Sequence, residues 1–245
     1  MNIETTPEPP PAPQSTPPKL DLQPLGAHAS FVAVIEALLK QPGRIMHECR
    51  HGGGKVPALL FVGALLGLAV FGILLGTFSG GAQYWAAPVK VVLGVVASLV
   101  ICLPSLYIFS ALGGLEARLP QIVGMLLAMI ALTALLLLGF APVVWIFSQS
   151  TESEGFMGFL VLAFWLIALF FGFRLLLAAA STFGMTRRHY LNVWIGIFLL
   201  VTLQMSTTLR PLIGTADTLL PTKKKFFLQH WGDELGGDTT GHRYR

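Results

Sequence analysis

The chain has 245 residues, of which 54% are hydrophobic and only 11% charged, with a formal net charge of +4 and a mean hydropathy of +0.70. A soluble domain carries about 25% charged residues, so a water-covered globular surface is excluded and the composition reads as a polytopic membrane protein. The positive charge lies in the flanks of the apolar runs, where it sets topology or meets anionic lipid and does not point to nucleic acid.

In chain order, residues 1–25 hold eight of the sixteen prolines. Proline removes the amide donor and fixes φ, so the spacing predicts a disordered or polyproline-type arm. Its string PEPPPAP is a spacer or a ligand for an aromatic groove. A basic-then-apolar signal peptide is not expected in this segment.

Residues 26–55 form a juxtamembrane unit. Ser30 is placed to cap a helix over FVAVIEALLKQ, which at about 17 Å is too short to cross a hydrocarbon core of roughly 30 Å. Pro42 and Gly43 break it, and GRIMHECRH resumes as an amphipathic turn or two. The expectation over 29–51 is an interfacial helix, with Lys40, Arg44 and Arg50 toward headgroups. Gly52-Gly53-Gly54 then makes a hinge.

Five runs are long enough to cross: 56–78, 89–112, 121–147, 156–180 and 190–209. The fold class expected is therefore all-α, a polytopic helical bundle of about five transmembrane helices preceded by the interfacial helix. The loops SGGAQYWAAP, GGLEARLP, SQSTESEG and STFGMTRRH are short, which makes consecutive helices antiparallel neighbours. Tyr84, Trp85, Trp145 and Trp194 stand near run ends, where amphipathic rings favour the interface. Pro104 and Pro142 are expected to kink the second and third runs. Residues 210–245 form a polar tail with Lys223–Lys225.

The cations before residue 56, with Arg118, Arg187 and Arg188 in alternate loops, favour a cytoplasmic amino terminus in a bacterial inner membrane. Lys90 falls at the opposite rim. An odd number of spans then exports the basic tail, which conflicts with the same rule.

The candidate chemistry begins with H-E-x-x-H at His47, Glu48 and His51. On a helix the two histidines share a face and can bind one zinc ion, with Glu48 as general base. The third histidine of the longer pattern is replaced by Pro57, leaving Glu116 and His189 as substitute ligands on the same side. The helix is also short and runs into three glycines, so the segment reads as a polar juxtamembrane face rather than a zinc site. GGGK lacks the spacing and the Ser/Thr of a phosphate loop and reads as a hinge. No cofactor is implied. The cysteines, Cys49 and Cys102, provide no disulfide framework.

None of the twelve Asp/Glu residues falls within an apolar run, which argues against a carboxylate proton relay. Arg174 is the one deep cation; it is expected to snorkel to the nearer headgroups, with an anion-binding role as the alternative. Gln204 stands in the most polar run, with Asn192, Thr202, Ser206 and Thr207, and is expected to hydrogen-bond a neighbouring helix. Gly63-x-x-x-Gly67 and Gly72-x-x-x-Gly76 mark a helix-packing seam.

The plan of a cytoplasmic arm before five closely spaced spans over 56–209 resembles the Yip family of Rab-interacting membrane proteins and its bacterial relatives. Locally, LLKQPGRIMHE (38–48) and LQMSTTLRPLIGT (203–215) resemble multi-span bacterial membrane proteins of uncharacterised function. These carry a juxtamembrane "PGR" element and an "LRP-aromatic/aliphatic-IG" element after the last span. Pro42-Gly43-Arg44 and Leu209-Arg210-Pro211-Leu212-Ile213-Gly214 stand in those places. The resemblance implies a common scaffold and no known reaction. The reading that follows is a non-catalytic membrane scaffold or accessory subunit, with partners reached through the membrane domain or the Pro-rich arm. A permease component is the first alternative and a zinc metalloprotease the second.

Overall fold

The computed structural model describes residues 20–25, 30–51, 53–79, 83–151 and 153–208, which form seven helices and no strand. They are α1 (Phe31–Lys40), α2 (Pro42–His51), α3 (Lys55–Ser79), α4 (Gln83–Leu112), α5 (Leu119–Ser150), α6 (Glu154–Thr182) and α7 (His189–Thr208). The described residues are thus all-helical, and their apolar helices fit a multi-pass membrane protein. Four helices, α3 to α6, are long and apolar enough to cross a membrane, whereas α7 is apolar over the shorter stretch His189–Met205. The proline-string ligand and the basic tail fall on residues 1–19 and 209–245, outside the described residues.

Local chemistry explains where the helices start and stop. The Ser30 hydroxyl accepts the Ala33 amide at 3.3 Å, and the Ser153 hydroxyl accepts the Phe156 amide at 3.3 Å. Pro42 does not merely end α1; it is the first residue of α2, where its fixed φ suits the first turn and its missing donor costs nothing. The Gln121 side chain reaches back to accept the Arg118 amide at 2.9 Å, closing the first turn of α5. The turns after α4 and α6 use Gly114 at φ 81° and Gly184 at φ 98°, a left-handed conformation that L side chains rarely adopt.

The helix order in space departs from the order in the chain. α3 lies between α4 and α5, α6 packs on the far side of α5, and α7 packs on α4. The expectation that every short loop joins neighbouring helices thus holds for α3–α4 and α5–α6 and fails for the main contacts of α5 and α7. The loops are long enough to cross a helix end, and they are held there. Gly113 in the α4–α5 turn accepts the Thr186 and Arg187 amides of the α6–α7 turn at 3.1 and 3.0 Å. The outer helices meet edge-on through Phe173 and Phe198, with ring centroids 5.9 Å apart. α5 is the centre of the core, with Ala128, Ala131, Ala134 and Leu137 fully buried.

α4 begins at Gln83, six residues before the expected start, so the stretch QYWAAP read as loop is helical. Pro88 and Pro104 lie inside α4 and Pro142 inside α5 without ending them. Lys90 consequently stands seven residues into α4, about 10 Å along its axis, and is 4% exposed, not a rim residue. Trp194 also departs from expectation. Tyr84, Trp85 and Trp145 are exposed near helix ends, but Trp194 is fully buried. Its indole donates to the Cys102 carbonyl at 3.1 Å and to the Ser105 hydroxyl at 3.2 Å. A buried indole needs such acceptors, and the α4 backbone and hydroxyl provide them.

Candidate functional site

The polar residues of the juxtamembrane segment converge at one end of the bundle. α1 and α2 pack as a pair against α3, α5 and α6, burying Val34, Leu38, Ile45 and Met46. They are more than a surface ribbon, because their apolar faces close the end of the core. The first turn of α1 reaches Gly63, where an added Cβ would lie 3.1 Å from Ile35 Cδ1 and 3.4 Å from Phe31 Cε2. On the outer side, Phe31, Val32 and Leu39 remain exposed, and Lys40 pairs with Glu36 at 2.8 Å in solvent. That pairing raises the Lys40 pKa and lowers that of Glu36.

α2 carries the H-E-x-x-H residues. The His47 and His51 rings face each other with centroids 4.7 Å apart, as their spacing of one helical turn requires. His51 Nδ1 lies 3.3 Å from the His47 carbonyl, which can only accept, so that nitrogen carries the proton of this contact. Glu48 is engaged elsewhere: its Oε1 accepts the Leu25 amide at 3.1 Å. His47 Nδ1 stands 3.8 Å from the same oxygen and makes no hydrogen bond. Cys49 points inward against Gly124, where an added Cβ would lie 2.9 Å from Cys49 Cβ, and burial pushes its thiol up to about 12. Glu116 is exposed in the α4–α5 turn, and His189 is exposed and stacks on Tyr190 at 4.0 Å. Among the described residues, no group of three or more His, Cys, Asp or Glu is placed to hold a metal ion.

The partner of Glu48 went unanticipated in the sequence. Residues 20–25 lie against α2 as a strap without helix or strand, with Leu20, Leu22 and Leu25 packed on the core. The Leu20 amide donates to Thr182 Oγ1 at the end of α6, at 3.1 Å. Gly43 makes room for the strap, since an added Cβ would run into the Asp21 carbonyl. The last six residues of the arm expected over 1–25 are thus packed on the bundle. The signal was present: L-x-L-x-x-L, beginning at Leu20, offers three apolar anchors after the proline string. Arg44 Nε, on the same helix as the strap contact, is buried without a hydrogen bond. At the other edge of α2, the Gln121 side chain donates to the Arg50 carbonyl at 3.0 Å, and the Arg50 guanidinium lies 5.4 Å over the Phe183 ring.

The remaining predicted residues lie apart from this cluster. Gly63, Gly67, Gly72 and Gly76 are all buried in α3, yet they do not share one partner. Gly63 faces α1, Gly67 faces α5, where an added Cβ would lie 3.2 Å from Ala134 Cβ, and Gly72 faces Pro88 of α4. Arg174 is exposed on α6, and its guanidinium lies 6.0 Å over the Phe170 ring, one turn toward the helix start. Side chains on a helix lean that way. Gln204 is half-buried in α7. Close by, the Thr202 hydroxyl is buried without a hydrogen bond.

No protein-family model, curated protein or solved structure matches the chain.

Proposed function

We propose that the chain is a non-catalytic integral membrane scaffold or accessory subunit. In this reading α7 is a fifth span, and the α1–α2 pair is an interfacial platform on the cytoplasmic side of a bacterial inner membrane. The observation that carries it is the Glu48–Leu25 clamp. The carboxylate that a zinc hydrolase would use as a base is the acceptor that ties the strap to α2. The same strap is tied to α6 through Thr182. The segment thus joins arm, platform and bundle, which is what a protein presenting an arm to partners requires. Arg50, Lys55, Arg118, Arg187 and Arg188 collect at this end and suit anionic headgroups.

The test is crosslinking in native membranes followed by purification of the intact protein. Recovery with specific membrane neighbours is expected, and recovery alone would sink the reading. Reporter fusions at Thr16 and Asp238 should report opposite sides of the membrane. The same side for both would mean an even number of crossings. Stoichiometric zinc, lost on His47→Ala together with a proteolytic activity, would replace the scaffold by a metalloprotease.

The permease alternative is favoured by one feature, the burial of two polar side chains within the apolar helices, Lys90 of α4 and Thr202 of α7, whose hydroxyl makes no hydrogen bond. An uptake phenotype abolished by Thr202→Val at unchanged abundance would move that reading ahead.

A further inference from the structure

The geometry points to α1 as a wedge that sinks one side into the acyl chains of a single leaflet and draws the protein to loosely packed, convex membrane. This inference rests on reading the α1–α2 pair as an interfacial platform, and it adds what one side of that platform binds. At about 100° per residue, α1 divides lengthwise into three sectors. Val34, Ala37 and Leu38 are buried against the bundle. Glu36 and Lys40 form a polar sector, exposed and paired with each other. The third sector is apolar and holds Phe31, Val32, Ile35 and Leu39, with Val32 72% and Leu39 54% exposed.

What covers that sector follows from where it points. Its inner members, Phe31 and Ile35, are directed at Gly63 of α3. Gly63 stands eight residues after Lys55, the first residue of α3, or about 12 Å along the axis. In a helix long enough to cross a core of roughly 30 Å, that position is inside the hydrocarbon. Val62 and Leu66, beside Gly63 on α3, are exposed at the same depth, where the surrounding medium is acyl chain. The apolar sector of α1 prolongs this lipid-facing surface, and its polar sector turns away toward headgroups. Both sectors run the length of the helix, which therefore lies in the membrane plane. α2 exposes no large apolar side chain, so the inserted volume is that of α1. A helix seated in this way fills space in one leaflet only, and such helices favour membrane whose lipids are already spread apart.

The test uses the full-length protein in giant phosphatidylcholine vesicles from which narrow tubules are pulled. A membrane-impermeant dye on the amino terminus marks the copies whose α1 lies in the outer, convex leaflet. Their expected density in the tubule is about twofold that of a lipid dye. Val32→Ser combined with Leu39→Ser should abolish the enrichment, since both side chains point away from the core, and Val32→Leu should keep it. A fluorophore on Val32→Cys or Leu39→Cys should be quenched by spin-labelled acyl chains and shielded from aqueous iodide. Glu36→Cys should show the reverse, with wild type, whose two cysteines are buried, as the labelling blank. Iodide quenching at positions 32 and 39 equal to that at 36 overturns the proposal, because the sector would then lie in water or under a protein cover. Equal density in tubule and vesicle overturns it too, as does enrichment that survives the double serine variant. Crosslinking in native membranes separates this failure from that of the scaffold. Neighbours recovered without tubule enrichment would leave the scaffold and remove the wedge; enrichment with no neighbours would do the reverse.

Discussion

Substituting Gly72 by alanine tests whether the α3–α4 contact depends on close backbone approach. The added methyl carbon would fall on Pro88 Cα, with Pro88 N at 3.0 Å and Pro88 Cβ at 3.1 Å. Neither helix can yield by a rotamer change, because the obstacle is backbone whose φ is locked by the proline ring. The helices must separate, and overpacking of this kind typically costs about 1–3 kcal/mol. Against this, Gly→Ala in a helix interior gains about 0.5–1 kcal/mol from reduced backbone freedom. The net expectation is a loss of up to about 2.5 kcal/mol, centred on about 1 kcal/mol, which is roughly a 5-fold change in the folded ratio. Gly139 and Gly196 isolate the opposing effect, since an added Cβ meets nothing within 4 Å at either position. Gly139→Ala and Gly196→Ala should be neutral or stabilising by up to about 1 kcal/mol. Gly67→Ala should fall between, because the neighbouring Ala134 Cβ and O lie at 3.2 and 3.3 Å and need give only slightly. Unfolding in detergent, followed by circular dichroism, measures the series. If Gly72→Ala proved as stable as Gly139→Ala, the steric argument would be wrong.

Trp194→Phe removes the indole donor to Cys102 and Ser105 while keeping most of the ring. The expected loss is about 0.5–1.5 kcal/mol, and a Ser105→Ala background should reduce it in a double-mutant unfolding series. Glu48→Ala should free the strap and speed protease cleavage within residues 1–25 several-fold, whereas Glu48→Gln keeps an acceptor for the Leu25 amide and should stay near wild type. Cys49 should resist alkylation at pH 8 until the protein unfolds, because burial pushes its thiol up to about 12. Its neutral form is favoured in the folded state, so the linked stability is present below the ordinary thiol pKa of 9.0 and declines as pH rises toward 12. By pH 10 the decline is about 1.4 kcal/mol, and pH-dependent unfolding of Cys49→Ser should lack it.

The candidate site was legible in its residue types and illegible in their pairings. His47 and His51 were bound to face each other, since residues one turn apart on any helix do. That Glu48 holds the Leu25 amide could not be read, because a backbone donor 23 residues away leaves no pattern in the sequence. Trp194 was misplaced for a similar reason. Position near a run end suggests the interface, but only the packing of α7 on α4 reveals acceptors able to satisfy a buried indole. Lys90 was misplaced because alanine, proline and aromatic residues before position 89 look like a loop, while Gly72 gives Pro88 room to stay helical.

The sequence by itself determined that the chain is helical and lives in a membrane, because long uncharged apolar runs can satisfy their backbone there only as helices. It also determined several helix ends, since Ser30, Ser153, Gly114 and Gly184 act within a turn of their own position. The tertiary structure decided which helices touch. Apolar periodicity shows that α3 is buried without saying against what, and its glycines proved to face α1, α5 and α4 in turn. It also decided the docking of the strap on α2 and the burial of Trp194 against α4. These depend on contacts between residues far apart in the chain, where lipid-like apolar surfaces offer little to distinguish one neighbour from another until side-chain shape and hydrogen bonds choose.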